Sequence, residues 1–297
     1  MGRIIYQFLD RECSMRRRDF LRTSSQALLA TWLSSNTFAA PLPRRFSARD
    51  TVTLGNTGIQ TSRLAMGTGT VGYGGHSNQT NLGIDGLSRL LLNGYDNGLR
   101  FFDSANGYGS HPHVAAALKH VDRSKVTVMT KDDSRDPKTV RTNLDRFRRE
   151  LGTDYIDIYL IHCVTEGDWT TRYRPIMDIL EEAKQKKIIR SHGVSCHSIE
   201  ALRAAAASPW VEVDLARINP IGSHMDADPD TVVSVLKQMK SQGKAVIGMK
   251  ILGQGGLRNR QDEAIKYALS LGILDAFTIG AESKPEQDDL MRRIAAA

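Results

Sequence analysis

Cysteine is scarce in this chain of 297 residues, limited to Cys13, Cys163 and Cys196. At most one disulfide could form beyond the N-terminal region, and no CxxC spacing marks a redox or zinc pair. Aromatic residues make up only 6%, and no apolar run is long enough to serve as a permanent membrane anchor. The net charge of +7 is partly local, because residues 1–40 hold six arginines against three acids. The remaining excess is spread thinly, whereas nucleic acid would need a clustered basic face or a binding motif. Sugar hydrolysis would need a carboxylate pair. The candidates are Asp103 and Asp157, and Asp157 falls inside an expected strand.

What the chain does have is regular alternation. After a hairpin at 52–61, short apolar runs near 64–66, 99–102, 126–130, 155–161, 189–194, 215–218, 246–249 and 276–279 alternate with helix-period segments at 82–97, 111–119, 137–150, 175–187, 198–207, 229–242, 261–271 and 285–294. Pro137, Pro175, Pro229 and Pro285 suit first helical turns. Eight strand–helix units predict an α/β fold, a (β/α)8 TIM barrel over residues 51–297.

Chemistry in such barrels collects at the carboxyl ends of the strands. Four polar groups fall there on three consecutive expected strands: Asp103 and Tyr108 in LRFFDSANGY (99–108), Lys131 in KVTVMTK (125–131), and His162 in DYIDIYLIHC (154–163). Their types suit carbonyl reduction. A tyrosine hydroxyl can donate a proton if its pKa is brought down, and a neighbouring lysine favours the phenolate. A carboxylate would hold the lysine, and the histidine would hydrogen-bond the substrate oxygen.

With these residues in view, the chain resembles the aldo-keto reductase superfamily, from TLGNTGIQTSRLAMGTGT (53–70) to TIGAESKPEQDDL (278–290). FFDSANGYGS (101–110) is the most specific piece, and MTK (129–131) and LIHC (160–163) are similar to the family's lysine and histidine strands. The resemblance implies reduction of an aldehyde or ketone, or the reverse oxidation, with NADP as cofactor and NAD as an alternative. It places the nicotinamide near Thr68, Ser195 and Cys196. The sequence also departs from the family pattern: Cys196 stands for an asparagine, Leu215 for a glutamine, Ile218 for an aromatic ring and Met291 for an asparagine. An accessory or sensor barrel that binds nucleotide with little turnover is the rival expectation.

The loops after the last two strands commonly hold phosphate in barrels. Here they read GMKILGQGGL (248–257) and TIGAESKPEQ (278–287). Gly253 and Gly255 would let the backbone approach a pyrophosphate, while Lys250 and Lys284 would supply charge. Ser283 and Gln287 match the family's cofactor side, with Gln287 towards the adenine. The run Gly67-Thr68-Gly69-Thr70-Val71-Gly72 has the GxGxxG form, but no helix follows it, so it reads as the loop after the first barrel strand. His111, His113, Cys196 and His197 lack a third ligand at a telling spacing, and no metal is expected. Trp169, Tyr173 and His224 are candidates for a pocket wall or a lid.

The N-terminus reads as a twin-arginine (Tat) signal, 1–40, with Met15 the more natural start. Arg17 and Arg18 precede an apolar stretch, Ala27 to Leu33, and then Phe38-Ala39-Ala40. Residues 41–50 read as a linker. The expectation is export to the periplasm through the Tat machinery.

Overall fold

Period-2 apolar strands joined by amphipathic helices close on themselves in the computed structural model, which describes residues 46–297. The expected signal and the first part of the linker lie outside the described residues. A short antiparallel hairpin, β1 (Thr51–Thr53) with β2 (Gln60–Ser62), comes first. Eight parallel strands follow: β3 (Leu64–Gly67), β4 (Phe101–Asp103), β5 (Thr127–Asp132), β6 (Ile156–Val164), β7 (Ile189–Cys196), β8 (Val213–Arg217), β9 (Ala245–Met249) and β10 (Ala276–Ile279). They pair in chain order, and β10 returns to β3 to close the barrel. The (β/α)8 architecture and its leading hairpin are therefore those that the alternation implies.

Helix boundaries follow local chemistry. The helix Pro137–Leu151 starts on Asp136, whose carboxylate accepts from the Thr139 amide, and stops where Gly152 turns left-handed at φ 64°. Its buried Val140, Leu144, Phe147 and Leu151 recur at helical spacing and face the sheet. Pro229–Ser241 begins the same way on Asp228, and Lys284–Ala296 begins on Ser283. An extra turn, Trp169–Arg172, precedes the helix Arg174–Gln185. No helix among the described residues is long and apolar enough to cross a membrane.

The strands sort their side chains by parity. Ala65, Phe101, Met129, Ile158, Leu160, Val213, Leu215, Ile247 and Ala276 fill the barrel interior. Their neighbours Leu64, Phe102, Val128, Tyr159, Ala216 and Phe277 face the helices. Leu54 and Ile59 of the hairpin join the interior group, each fully buried and contributing about 1.5–3 kcal/mol. The Asn56 amide donates to the Gly243 carbonyl at 2.8 Å. A Cβ on Gly55 would meet the Ala245 nitrogen at 2.4 Å, so only glycine lets the turn seat this closely. The hairpin is a stopper in the amino-terminal end of the barrel.

Candidate active site

The same parity builds the site. Two residues beyond the interior Phe101, Met129 and Leu160 stand Asp103, Lys131 and His162, so each points inward at the carboxyl-terminal mouth. Thr278 stands two beyond the interior Ala276. Asp103, Lys131 and His162 are all less than a tenth exposed. The Lys131 ammonium donates to Asp103 Oδ1 at 2.5 Å and to the Ser104 carbonyl at 2.8 Å. The other Asp103 oxygen accepts from the Thr278 hydroxyl at 2.8 Å, a tie across the barrel seam. Burial works to lower the Lys131 pKa, but Asp103 and Tyr108 outweigh it and the ammonium is held above its ordinary value. Its charge is therefore fixed at any physiological pH.

Tyr108 ends a short turn, Asn106–Tyr108, directly after β4. The Lys131 nitrogen lies 4.7 Å from its ring centroid, and the His162 ring meets it edge-on with centroids 5.7 Å apart. The four residues expected from sequence thus form one cluster. Burial raises the Tyr108 pKa to about 12, while Lys131 acts against that rise. The expectation that lysine would draw the phenol towards neutrality is corrected here: desolvation is the larger effect.

Gly69 and Gly72 explain the GxGxxG-like run. A Cβ on Gly69 would stand 2.2 Å from the Tyr108 ring, and one on Gly72 would stand 2.4 Å from it. The loop lies flat on the ring because it lacks side chains there. Thr68 is fully buried beneath it, its hydroxyl donating to the Asp103 carbonyl at 2.8 Å and lying 2.8 Å from the Ser110 hydroxyl.

His162 has a partner that sequence reading missed. Its Nδ1 lies 2.7 Å from Asp133 Oδ1. Burial works to raise the Asp133 pKa, but the hydrogen bond from His162, helped by the charges of Arg135 and Lys131, holds it below its ordinary value. An ionised carboxylate can only accept, so Nδ1 carries the proton. Burial also lowers the His162 pKa, leaving a neutral ring with an unprotonated Nε2. That nitrogen accepts hydrogen bonds, so it can orient a hydroxyl group but cannot donate to a carbonyl oxygen.

Directly after His162 the β6 ladder breaks register, and Cys163 takes a left-handed φ of 53°. For a side chain with a Cβ this costs about 1–2 kcal/mol. Arg135 anchors the bulge by donating to the His162 carbonyl at 2.5 Å and the Cys163 carbonyl at 3.3 Å. Cys163 Sγ lies 3.7 Å from His197 Nε2. Neither contact follows from sequence spacing, because 29 residues separate Asp133 from His162 and 34 separate Cys163 from His197.

The family model that describes the aldo/keto reductase family matches residues 63–270. The chain belongs to the aldo/keto reductase family. Over 167 residues it is 28% identical to the NADH-specific methylglyoxal reductase of Escherichia coli, covering 48% of this chain and 51% of that one. Over 210 residues it is 27% identical to the D/L-glyceraldehyde reductase of Hypocrea jecorina, covering 60% of this chain and 57% of that one. The chain thus spans about half the length of these relatives. The holo form of an aldo-keto reductase from Bacillus halodurans shares the fold, with a TM-score of 0.70 at 16% identity over 84% of this chain and 92% of that one.

In this aldo/keto reductase, the residues expected on the nucleotide side are dispersed. Ser195 faces the mouth, its Oγ 3.5 Å from the Cys163 amide, whereas Cys196 is fully buried on the opposite face of β7. Lys250 has a left-handed φ of 57° and donates to Gln254 at 2.9 Å. Burial, and then the charges of Arg217 and Lys131, lower its pKa, as befits a cation with no carboxylate partner among the described residues. Gly253 and Gly255 have φ of 56° and 99°, and nothing would meet a Cβ at Gly255 within 4 Å. Ser283 caps the last helix, and Lys284 is held by Asp288 at 2.8 Å. Gln287 is buried between helices, where Asn93 donates to it at 2.7 Å. Trp169 is core, its indole nitrogen donating to the Ala201 carbonyl at 3.2 Å.

Proposed function

We propose that this chain interconverts an aldehyde or ketone and its alcohol, with Tyr108 as the proton donor and NAD(P)H as the reductant. The observation that carries this reading is the interlocked group of Asp103, Lys131 and Tyr108 at the barrel mouth. The open backbone at Gly255 and the uncompensated Lys250 fit the diphosphate of a nicotinamide nucleotide. When bound, that nucleotide supplies or accepts the hydride. Tyr108 supplies the proton. With a pKa of about 12 it stays protonated at neutral pH, yet remains a stronger acid than the alcohol being formed. Lys131, permanently charged, stabilises the phenolate left behind, and Asp103 fixes the lysine. His162, through its bare Nε2, accepts from the product hydroxyl.

Between the two nucleotides, local charge favours NADH. Glu282 and Glu286 flank Ser283, with the Glu282 amide donating to the Glu286 carboxylate at 2.7 Å. Lys284 is already engaged with Asp288. Carboxylates at this position repel a 2′-phosphate and can accept from a free 2′-hydroxyl. The test is turnover of a panel of reactive aldehydes and ketones with each nucleotide, alongside binding titrations. Nucleotide binding with no turnover across the panel would favour the accessory barrel instead.

Export to the periplasm through the Tat machinery is part of the same proposal and rests on Arg17 and Arg18. Replacing both with lysine should leave the protein in the cytoplasm. Unchanged periplasmic accumulation on fractionation would remove the idea.

A further inference from the structure

One edge of the mouth gathers more ligand atoms than proton transfer requires. A carboxylate oxygen of Asp133, a ring nitrogen of His162 and the sulfur of Cys163 all lie within 4.8 Å of one another. His197 Nε2 stands 3.7 Å from that sulfur. We propose that Asp133, His162 and Cys163, with His197 beside the sulfur, form a binding site for a zinc-class divalent ion.

One pair already has the spacing of ligands sharing a tetrahedral centre, and Asp133 and His162 lie within reach of the same sulfur. With zinc–sulfur near 2.3 Å and zinc–nitrogen near 2.0–2.1 Å, two such ligands stand roughly 3.6 Å apart. The Cys163–His197 contact already has that separation. The 2.7 Å His162–Asp133 contact is a hydrogen bond, and it needs to widen by only about 0.6 Å to admit an ion. Thiolate and imidazole ligands select zinc, cobalt or copper over magnesium and calcium.

The ligand charges can balance the ion. A Cys163 thiolate and the Asp133 carboxylate together neutralise a divalent ion, with the thiol proton released to solvent. The nearby cations are mostly committed elsewhere. Lys131 is tied to Asp103, Arg217 to Asp226, and Arg135 to the carbonyls of His162 and Cys163. Lys250 is the exception, its partner the neutral Gln254 amide. The left-handed backbone at Cys163 and the Arg135 brace fix where the sulfur is presented.

Cobalt is a direct probe. The full chain, stripped with a chelator and titrated with Co2+, should bind one ion per chain. It should show a thiolate-to-cobalt charge-transfer band together with the intense visible bands of four-coordination. Cys163→Ser should abolish the charge-transfer band while the circular dichroism spectrum stays unchanged. His197→Ala and Asp133→Asn should each weaken binding by roughly 10-fold or more. A charge-transfer band that survives Cys163→Ser would locate the metal at another thiol and overturn the proposal. So would the absence of any band, or cobalt affinity unchanged in both His197→Ala and Asp133→Asn. None of these readings uses turnover, so an inactive protein would not disguise the outcome.

Discussion

The half-barrel β3–β6 and the half-barrel β7–β10 meet the same mouth in opposite ways. In the first, polar groups stand on the strands or immediately after them and are locked to each other: Asp103 to Lys131 and His162 to Asp133. In the second, the groups sit on loops, with left-handed φ at His224, Lys250 and Gln254 and an uncompensated Lys250 ammonium. Ser195 on β7 and Thr278 on β10 are exceptions, Thr278 reaching over the seam to Asp103. The difference teaches a division of labour. The groups proposed to handle protons are held rigidly in advance, while the half proposed to meet a phosphate-bearing molecule keeps spare charge and accessible backbone.

The sharpest way to break this comparison is Tyr108→Phe, which keeps the ring and removes the hydroxyl. Turnover should fall by roughly 100-fold or more, with nucleotide affinity little changed. A variant that retains full turnover would show that the first half does not perform the proton transfer. Gly69→Ala tests the rigidity of that half, because the added methyl drives into the Tyr108 ring. Overpacking should cost about 1–3 kcal/mol in denaturant melts, and the displaced ring should lower kcat on the order of 10–100-fold.

A buried carboxyl in the second half offers a test through pH. Asp214, on the outer face of β8, is fully buried, with the Cys196 thiol beside it as a weak partner. Burial, and then Asp226, raise its pKa to about 8, against an ordinary value of 3.8. The folded chain therefore binds this proton more tightly than the unfolded chain. Its contribution favours folding at low pH and is lost as pH rises from about 4 to about 8. Asp214→Asn should flatten that part of the thermal stability profile, and an identical slope in the variant would refute the assignment.

Two smaller effects sharpen the contrast. Asp133→Asn removes the partner that raises the His162 pKa, so a pH–rate limb owed to that ring should move to lower pH. Lys284→Ala should change NADPH affinity by no more than about 1 kcal/mol, since the ammonium belongs to an exposed pair with Asp288. A much larger loss would mean that the lysine leaves Asp288 for the nucleotide.

Much of the first half was legible in the sequence because a strand has period two. Once Phe101, Met129 and Leu160 are read as interior, Asp103, Lys131 and His162 must face the same way. Thr278 could have been found by the same count from Ala276. Asp133 could not, because its link to His162 exists only when β5 and β6 are neighbours and the loop beyond β5 turns back. The Cys163–His197 contact was hidden further, since a bulge breaks the parity on which such counting depends. Cys196 and Gln287 show the reverse difficulty. A family pattern singles them out, while the structure buries Cys196 against the outer layer and Gln287 between helices.

Closure has a consequence for how the chain folds. The strand pair that seals the barrel joins Leu64 to Phe277, and the stopper joins Asn56 to Gly243. Neither contact can form until nearly the whole chain is available, which makes this a fold of long sequence separation and slow closure. Before β10 docks, β3 and β9 expose unpaired parallel edges that invite pairing with other chains. The helix Lys284–Ala296 follows immediately, so loss of a short C-terminal stretch would threaten the last closing step rather than trim the molecule's surface.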